Sequence, residues 1–370
     1  MVKHAIRSAA LAICAVALAV AAQRGTTAPP QASFASRIQQ LSEPEGQFDT
    51  DNLISNENSY LDVIPALKAA GAGGGAYIGV GPDQNFSYIA ALRPAIAFIV
   101  DVRRDNVLLH LLFKALFAQA RDRTEYLSLL TGRPAPDGPN GPGGPGGPGG
   151  NDAWRDAKLE RIVAYIDETK PVAASLSRLH ARVGETIERF GVPLSAADRK
   201  TIERFHSRFI EAGLSLKFET RGRAPRDFYP TYRDLLFATD RDGHQWNYLV
   251  SERDFQFVRS LEANDLVVPV VGDLSGPHAL AAIGALMAAR GDRLSAFYAS
   301  NVENYLFRDG HFQRFAENLR RLPRDSHSVI IRSMFGMASS SSSVQSVDEM
   351  LAKLSSGRYP TYQDLVFPAR

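Results

Sequence analysis

The sequence predicts an α/β protein: a doubly wound, mostly parallel sheet with a helical insertion. Three observations predict it. Short apolar runs bounded by glycine, aspartate or polar residues ("GAYIGVG", "AIAFIVDV", "DLVVPVVGD", "LSAFYAS", "SHSVIIRSMFG") have the length of buried strands. Apolar segments of about a dozen residues follow several of them and suit crossover helices. A highly charged stretch with helical spacing separates the second run from the third.

At the N-terminus, "MVKHAIRSAALAICAVALAVAAQ" joins Lys3, His4 and Arg7 to an apolar run and an Ala19-Val20-Ala21 cleavage site. These are the parts of a secretory signal over residues 1–21, so the expected location is periplasmic or extracellular. The run is too short to span a bilayer, and no integral membrane segment is expected after cleavage. Cys14 is the single cysteine and lies in the signal, which leaves the mature chain without a thiol nucleophile or a disulfide. Residues 22–40, rich in Ala, Gln, Thr and Pro, read as a linker.

The first part of the sheet domain is expected over 41–131. It begins with a polar segment, "FDTDNLISNE", in which Asp49, Asp51, Asn52, Ser55, Asn56 and Glu57 crowd together. Their spacing is not that of a calcium loop, so the segment reads as caps or as a lid folding over the cleft. "GAYIGVG" is then a strand, "DQNFSYIAALRP" a helix stopped by Pro94, "AIAFIVDV" a second strand and "NVLLHLLFKALFAQA" a helix covered on most sides.

Residues 132–152 form a Gly/Pro tract, expected to be a flexible loop. The helical insertion follows over 153–240, with breaks at Pro171 and Pro193. The second part of the sheet domain runs 241–370: strand, helix with Gly291 as its C-terminal cap, strand, helix, strand. "FYPTYRDLLF" and "RYPTYQDLVF" repeat Pro-Thr-Tyr-x-Asp, where Thr231 or Thr361 caps a helix and Asp234 or Asp364 answers three residues later. Alternatively, the two aromatic segments line one cleft.

A net charge of +2 with only short basic clusters gives no field to recruit nucleic acid, and none is expected as partner. The eight histidines are scattered without metal-ligand spacing, so no metal is expected. In an open parallel sheet, ligands sit beyond the carboxyl ends of the strands. Four such ends are visible: Gly79-Val80-Gly81-Pro82-Asp83, Asp101, Gly272-Asp273-Leu274-Ser275 and Ser300-Asn301-Val302-Glu303. Gly79 and Gly81 let backbone approach a ligand, and Asp101, about 20 residues on, stands where an acid accepts ribose hydroxyls. Asp83 and Asp273 complete the expected cofactor-binding set. The dinucleotide fingerprint fails at Gln84, where its third glycine would fall, and no phosphate-cradling Gly-Lys-Ser/Thr occurs.

The stretches "AYIGVGPDQN", "AFIVDV", "VVGD", "SAFYASNVENYL" and "FQRFAENLRRLPRDSHSVIIRS" resemble the class I S-adenosylmethionine-dependent methyltransferases, over less than a third of the chain. The chain is also similar to uncharacterised bacterial proteins that share "FDTDNLISNE" and "GVGPDQNF". The methyltransferase resemblance implies a Rossmann-like fold, S-adenosylmethionine as cofactor and a small acceptor of unknown identity. It also implies a transfer site at Asn301 and Glu303, with His278 as a base from the neighbouring loop. Tyr77 replaces the usual first-strand acid, and Ser300-Asn301-Val302-Glu303 replaces the usual Asn/Asp-Pro-Pro-Tyr. Two alternatives stand beside it: an exported, non-catalytic Rossmann-like binding protein, and a metal-assisted hydrolase using Asp83, Asp101 and Asp273.

Overall fold

The computed structural model describes residues 32–136, 152–220, 226–337 and 339–366. The expected signal over 1–21 and most of the 132–152 tract lie outside them. Phe34–Arg370 makes one compact unit.

The chain enters with α1 (Phe34–Leu41) and α2 (Ile64–Ala69). β1 (Ala76–Gly79), α3 (Gln84–Leu92), β2 (Ile96–Asp101), α4 (Arg104–Gln119) and α5 (Arg123–Thr131) follow. The charged stretch carries α6 (Asp152–Arg155), α7 (Leu159–Glu168), α8 (Ala173–Glu188), α9 (Ala196–Ala212) and α10 (Tyr232–Leu236). α11 (Glu252–Ala263), β3 (Val267–Val271), α12 (Ala279–Arg290), β4 (Leu294–Ser300), α13 (Val302–Arg308) and α14 (Phe312–Arg321) come next. β5 (Arg324–Phe335), β6 (Ser340–Ser346), α15 (Val347–Ser355) and α16 (Tyr362–Val366) close the described chain.

The six strands form one sheet in the order β3-β2-β1-β4-β5-β6. β1 to β5 are parallel, and β6 returns antiparallel to β5. The fold is therefore mixed α/β with a mostly parallel sheet. β1 and β3 are buried along their whole length, and β2 and β4 up to their last residue. Strands covered on both faces read as continuous apolar runs rather than alternation, which is why the sequence exposes them. α4 packs on β2 and β3, with twelve of its residues buried.

One sequence expectation fails. The end of the proposed 22–40 linker is α1, whose Phe34, Ile38 and Leu41 fall on one helical face and bury against β3 and α12. That i, i+4, i+7 spacing is an amphipathic stripe, too short to stand out beside the Pro-rich residues before it. Arg37 on the same helix donates from Nη1 to the Asp265 carbonyl at 2.6 Å.

Candidate functional site at the carboxyl ends of the strands

The polar segment after α1 crosses the carboxyl edge of the sheet. The Glu43 amide donates to Val271 O at the end of β3, and the Gly46 amide donates to Val102 O just past β2. The amide of Asn52, beside Gly81 past β1, is capped by Thr50 Oγ1. Glu57 accepts from Ser300 Oγ at the end of β4 and from Ser333 Oγ on β5. Ser59 Oγ meets Ser340 and Ser342 of β6 at 2.9 and 3.1 Å. Residues 43–59 thus form a strap that visits all six strands in sheet order.

Under the strap lies the loop from β1 to α3. Gly81 has φ +83°, a left-handed conformation that favours glycine. Gly79 is needed for space: a Cβ there would lie 2.0 Å from Asn85 Oδ1 and 2.6 Å from Tyr77 Oη. Asn85 fixes the loop by donating from Nδ2 to the carbonyls of Val80 and Pro82 at 2.9 and 2.7 Å, while accepting from Tyr77 Oη at 2.8 Å. His110 of α4 donates from Nε2 to the Gly81 carbonyl at 2.9 Å, and burial holds its pKa down to about 4.

Around this loop, buried polar atoms stand without hydrogen-bond partners: Gln84 Oε1, both side-chain polar atoms of Asn106, and His110 Nδ1. Asn106 and His110 are one turn apart on the same face of α4. Buried polar groups are almost always satisfied, and a cluster of exceptions marks a place for a polar ligand or water.

Asp83 is buried and accepts from Tyr232 Oη at 2.9 Å. Burial raises its carboxyl to about 7, with the Tyr232 hydrogen bond pulling the other way. Tyr232 belongs to the first Pro-Thr-Tyr-x-Asp repeat, and Tyr362 of the second donates to Ser333 O at 3.2 Å. Both repeats also pair their Thr and Asp as helix caps. Each repeat therefore caps a short helix and sends its tyrosine towards a strand end, one at β1 and one at β5.

Asp101 does not stand open. Arg103 Nε and Nη2 donate to its two carboxylate oxygens at 3.0 and 2.7 Å, and the Arg103 amide donates to Oδ1 at 2.9 Å. Oδ2 keeps a further acceptor position, since each carboxylate oxygen carries two lone pairs. Asp273 accepts from the Ser275 amide and hydroxyl at 2.8 and 2.9 Å, closing a local turn.

The three residues expected at a transfer site are not brought together. Asn301 and Glu303 follow β4, whereas His278 precedes α12 beyond β3, with β2 and β1 between. Three strand spacings amount to roughly 14 Å. His278 Nε2 instead bonds the Gln40 carbonyl at 2.8 Å. Asn301 sits at the start of α13 without a side-chain cap bond. Glu303 is fully buried and pairs with Arg332 Nε at 2.5 Å.

Glu57 holds the position at the ends of β4 and β5. It is 1% exposed, with Tyr298, Ser300 and Ser333 as hydrogen-bonding neighbours. Burial raises its pKa, and those hydrogen bonds oppose the rise. The sequence displays Glu57 in a polar run without marking a role for it. Arg103 carries no signal either, because a charged residue in "DVRRD" reads as solvated. The spacing of Asn106 and His110 inside an apolar helix is the one clue the chain offers to the unsatisfied cluster.

The fold and site together define a mixed α/β protein whose strand ends are roofed by its own polar strap. The chain belongs to the family described as a domain of unknown function, DUF7790, which matches residues 53–135 and 199–364. No curated protein matches it. Among the described residues, no helix is long and apolar enough to cross a membrane.

Proposed function

We propose that the protein is a methyltransferase-like member of the doubly wound, Rossmann-like class that takes S-adenosylmethionine at the β1 and β2 strand ends. The observation that carries the reading is the set of unsatisfied polar atoms on Gln84, Asn106 and His110 around the left-handed Gly81. The strand order supports it, because the reversal between β2-β1 and β4-β5 is the switch point at which such sheets bind ligands.

The donor set fits the cofactor. Gly79 and Gly81 offer backbone approach, Asp101 Oδ2 offers an acceptor to a ribose hydroxyl, and Asn106 offers both a donor and an acceptor. When bound, the cofactor supplies an electrophilic methyl group. Arg103 orients Asp101, the strap excludes water, and Glu57 or Asp83 is the carboxyl best placed to hold a proton, being buried beside the strand ends. Asn301 is retained as an acceptor-side residue; His278 is not, given its distance in the sheet.

A second reading, an exported binding protein without catalysis, is favoured by the Arg103–Asp101 pair and by the strap over the strand ends. The metal-assisted hydrolase has less support, because Asp83, Asp101 and Asp273 each bond a different side chain, Tyr232, Arg103 and Ser275. Export to the periplasm or medium rests on residues 1–21, and N-terminal sequencing of secreted protein tests it.

Calorimetry with S-adenosylmethionine and S-adenosylhomocysteine is the deciding experiment. Micromolar binding that Asp101→Ala and Asn106→Ala each weaken at least tenfold supports the transferase reading. No heat at millimolar ligand overturns it and leaves the binding-protein reading.

A further inference from the structure

Away from the strand ends, a cavity of about 390 Å³ opens between α8 and α9. Val183, Ile187, Leu194 and Ile202 give it aliphatic walls, and His180 and His206 lie side by side in its lining. The two rings lie 5.1 Å apart, centroid to centroid, at 58°.

The surroundings of the two imidazoles are similar, each with an oxygen on one side only. His206 is 1% exposed, and its Nε2 faces the Leu129 carbonyl at 3.0 Å. A carbonyl only accepts, so the proton sits on Nε2 and Nδ1 presents a bare lone pair. That Nδ1 is buried without a hydrogen-bond partner. On α8, His180 Nδ1 lies 3.7 Å from Glu203 Oε1, and its Nε2 is likewise buried and unpartnered. Each ring thus has an oxygen behind one nitrogen and nothing on the other. A hydrogen-bonded outer oxygen fixes the tautomer and aims the remaining nitrogen of a metal-binding histidine, as the Leu129 carbonyl does for His206, while Glu203 stands just beyond hydrogen-bond reach of His180.

We propose that His180 Nε2 and His206 Nδ1 bind a divalent transition ion of the zinc type in this cavity, with Glu203 as the positioning residue behind His180. The separation suits it: nitrogens at about 2.0–2.1 Å from one tetrahedral ion set ring centroids roughly 5 Å apart. Imidazole donors select zinc, copper or nickel over magnesium or calcium. The cavity leaves room for water or an exogenous ligand on the ion. The family match resumes at residue 199, so α9 lies almost wholly within it and α8 lies outside.

A second grouping, Asp240, Asp242 and His244, serves as the control. Asp240 there accepts from the amides of Asp242 and His244 and from Trp246 Nε1, which accounts for it as a turn.

The test is titration of the full chain with Zn²⁺ alone, by calorimetry, checked by circular dichroism for folding. The expected result is one saturable equivalent that His180→Ala and His206→Gln abolish. Glu203→Gln weakens it about tenfold, Glu203→Asp recovers part of the affinity, and His244→Ala leaves it intact. His180 is only partly buried, so its variant keeps the test valid if His206→Gln fails to fold. Absence of saturable binding overturns the proposal, as does binding that survives His180→Ala or disappears with His244→Ala.

Discussion

Arg103 grips Asp101 with Nε and Nη2, and with Nη1 it holds the Thr50 carbonyl of the strap at 2.7 Å. One side chain therefore ties the acid at the end of β2 to the segment crossing above it. Both partners are nearly buried. Removing one member of such a pair costs about 3–5 kcal/mol, because the remaining charge is left uncompensated. Arg103→Met should lower unfolding free energy by about 3 kcal/mol in urea melts. It should also speed proteolysis within residues 43–59. Unchanged cleavage would mean that the strap does not depend on this contact.

Glu57 is the strap's anchor at β4 and β5. Glu57→Gln preserves the shape and can still bond both serine hydroxyls, so stability should change by less than about 1 kcal/mol. Glu57→Ala strands Ser300 and Ser333 and should cost about 2–4 kcal/mol. Hydrogen exchange at 55–60 reports the loosening. Equal effects of the two changes would contradict the anchoring role.

Asp83 makes stability depend on pH. Its folded pKa, about 7, is above the ordinary carboxyl value of 3.8, so folding favours the protonated form. That contribution is fully present below about 4 and is lost as pH rises towards 7. Glu262, also raised to about 7, acts with the same sign, while His110 and His206, lowered to about 4, oppose it between about 4 and 6.5. The difference between wild type and Asp83→Asn isolates the aspartate. Denaturation midpoints should show the wild type losing stability relative to the variant from pH 4 to 7. Tyr232→Phe, which removes a bond favouring the charged form, should move that loss to higher pH.

The two loop glycines should respond differently to alanine. Gly79→Ala forces a methyl into Asn85 and Tyr77 and should cost about 3 kcal/mol. Gly81→Ala meets only looser neighbours at 3.2 and 3.3 Å, and its φ of +83° should cost about 1 kcal/mol. Thermal denaturation ranks them. The reverse order would mean that the loop shifts freely.

Much of the sheet is readable because strands buried on both faces must be apolar throughout, as Val267–Val271 and Ile96–Val100 are. β6 is not readable. "SSSSVQS" carries almost no apolar side chain, and its place is secured by pairing with β5 and by serine hydroxyls reaching Ser59 and Ser333. The glycine loop and Asp101 are visible as local spacing. The neighbours that decide what those residues do are not: Arg103, Asn106 and Glu57 acquire partners only through strand order. The same order separates His278 from Asn301, which sequence distance alone makes look adjacent. The histidine pair at 180 and 206 escapes notice because 25 residues and a helix turn-around lie between the rings.

The strap lies ahead of every strand in the chain, yet its bonds reach as far as 283 residues downstream. The order of synthesis and the order of assembly therefore run opposite. The segment that leaves the ribosome before the sheet can settle only after β6 has been made, since Ser340 and Ser342 complete its last contacts. A truncated product lacking β5 and β6 would keep the strap's bonds at β3 and β2 and lose those to Ser333, Ser340 and Ser342.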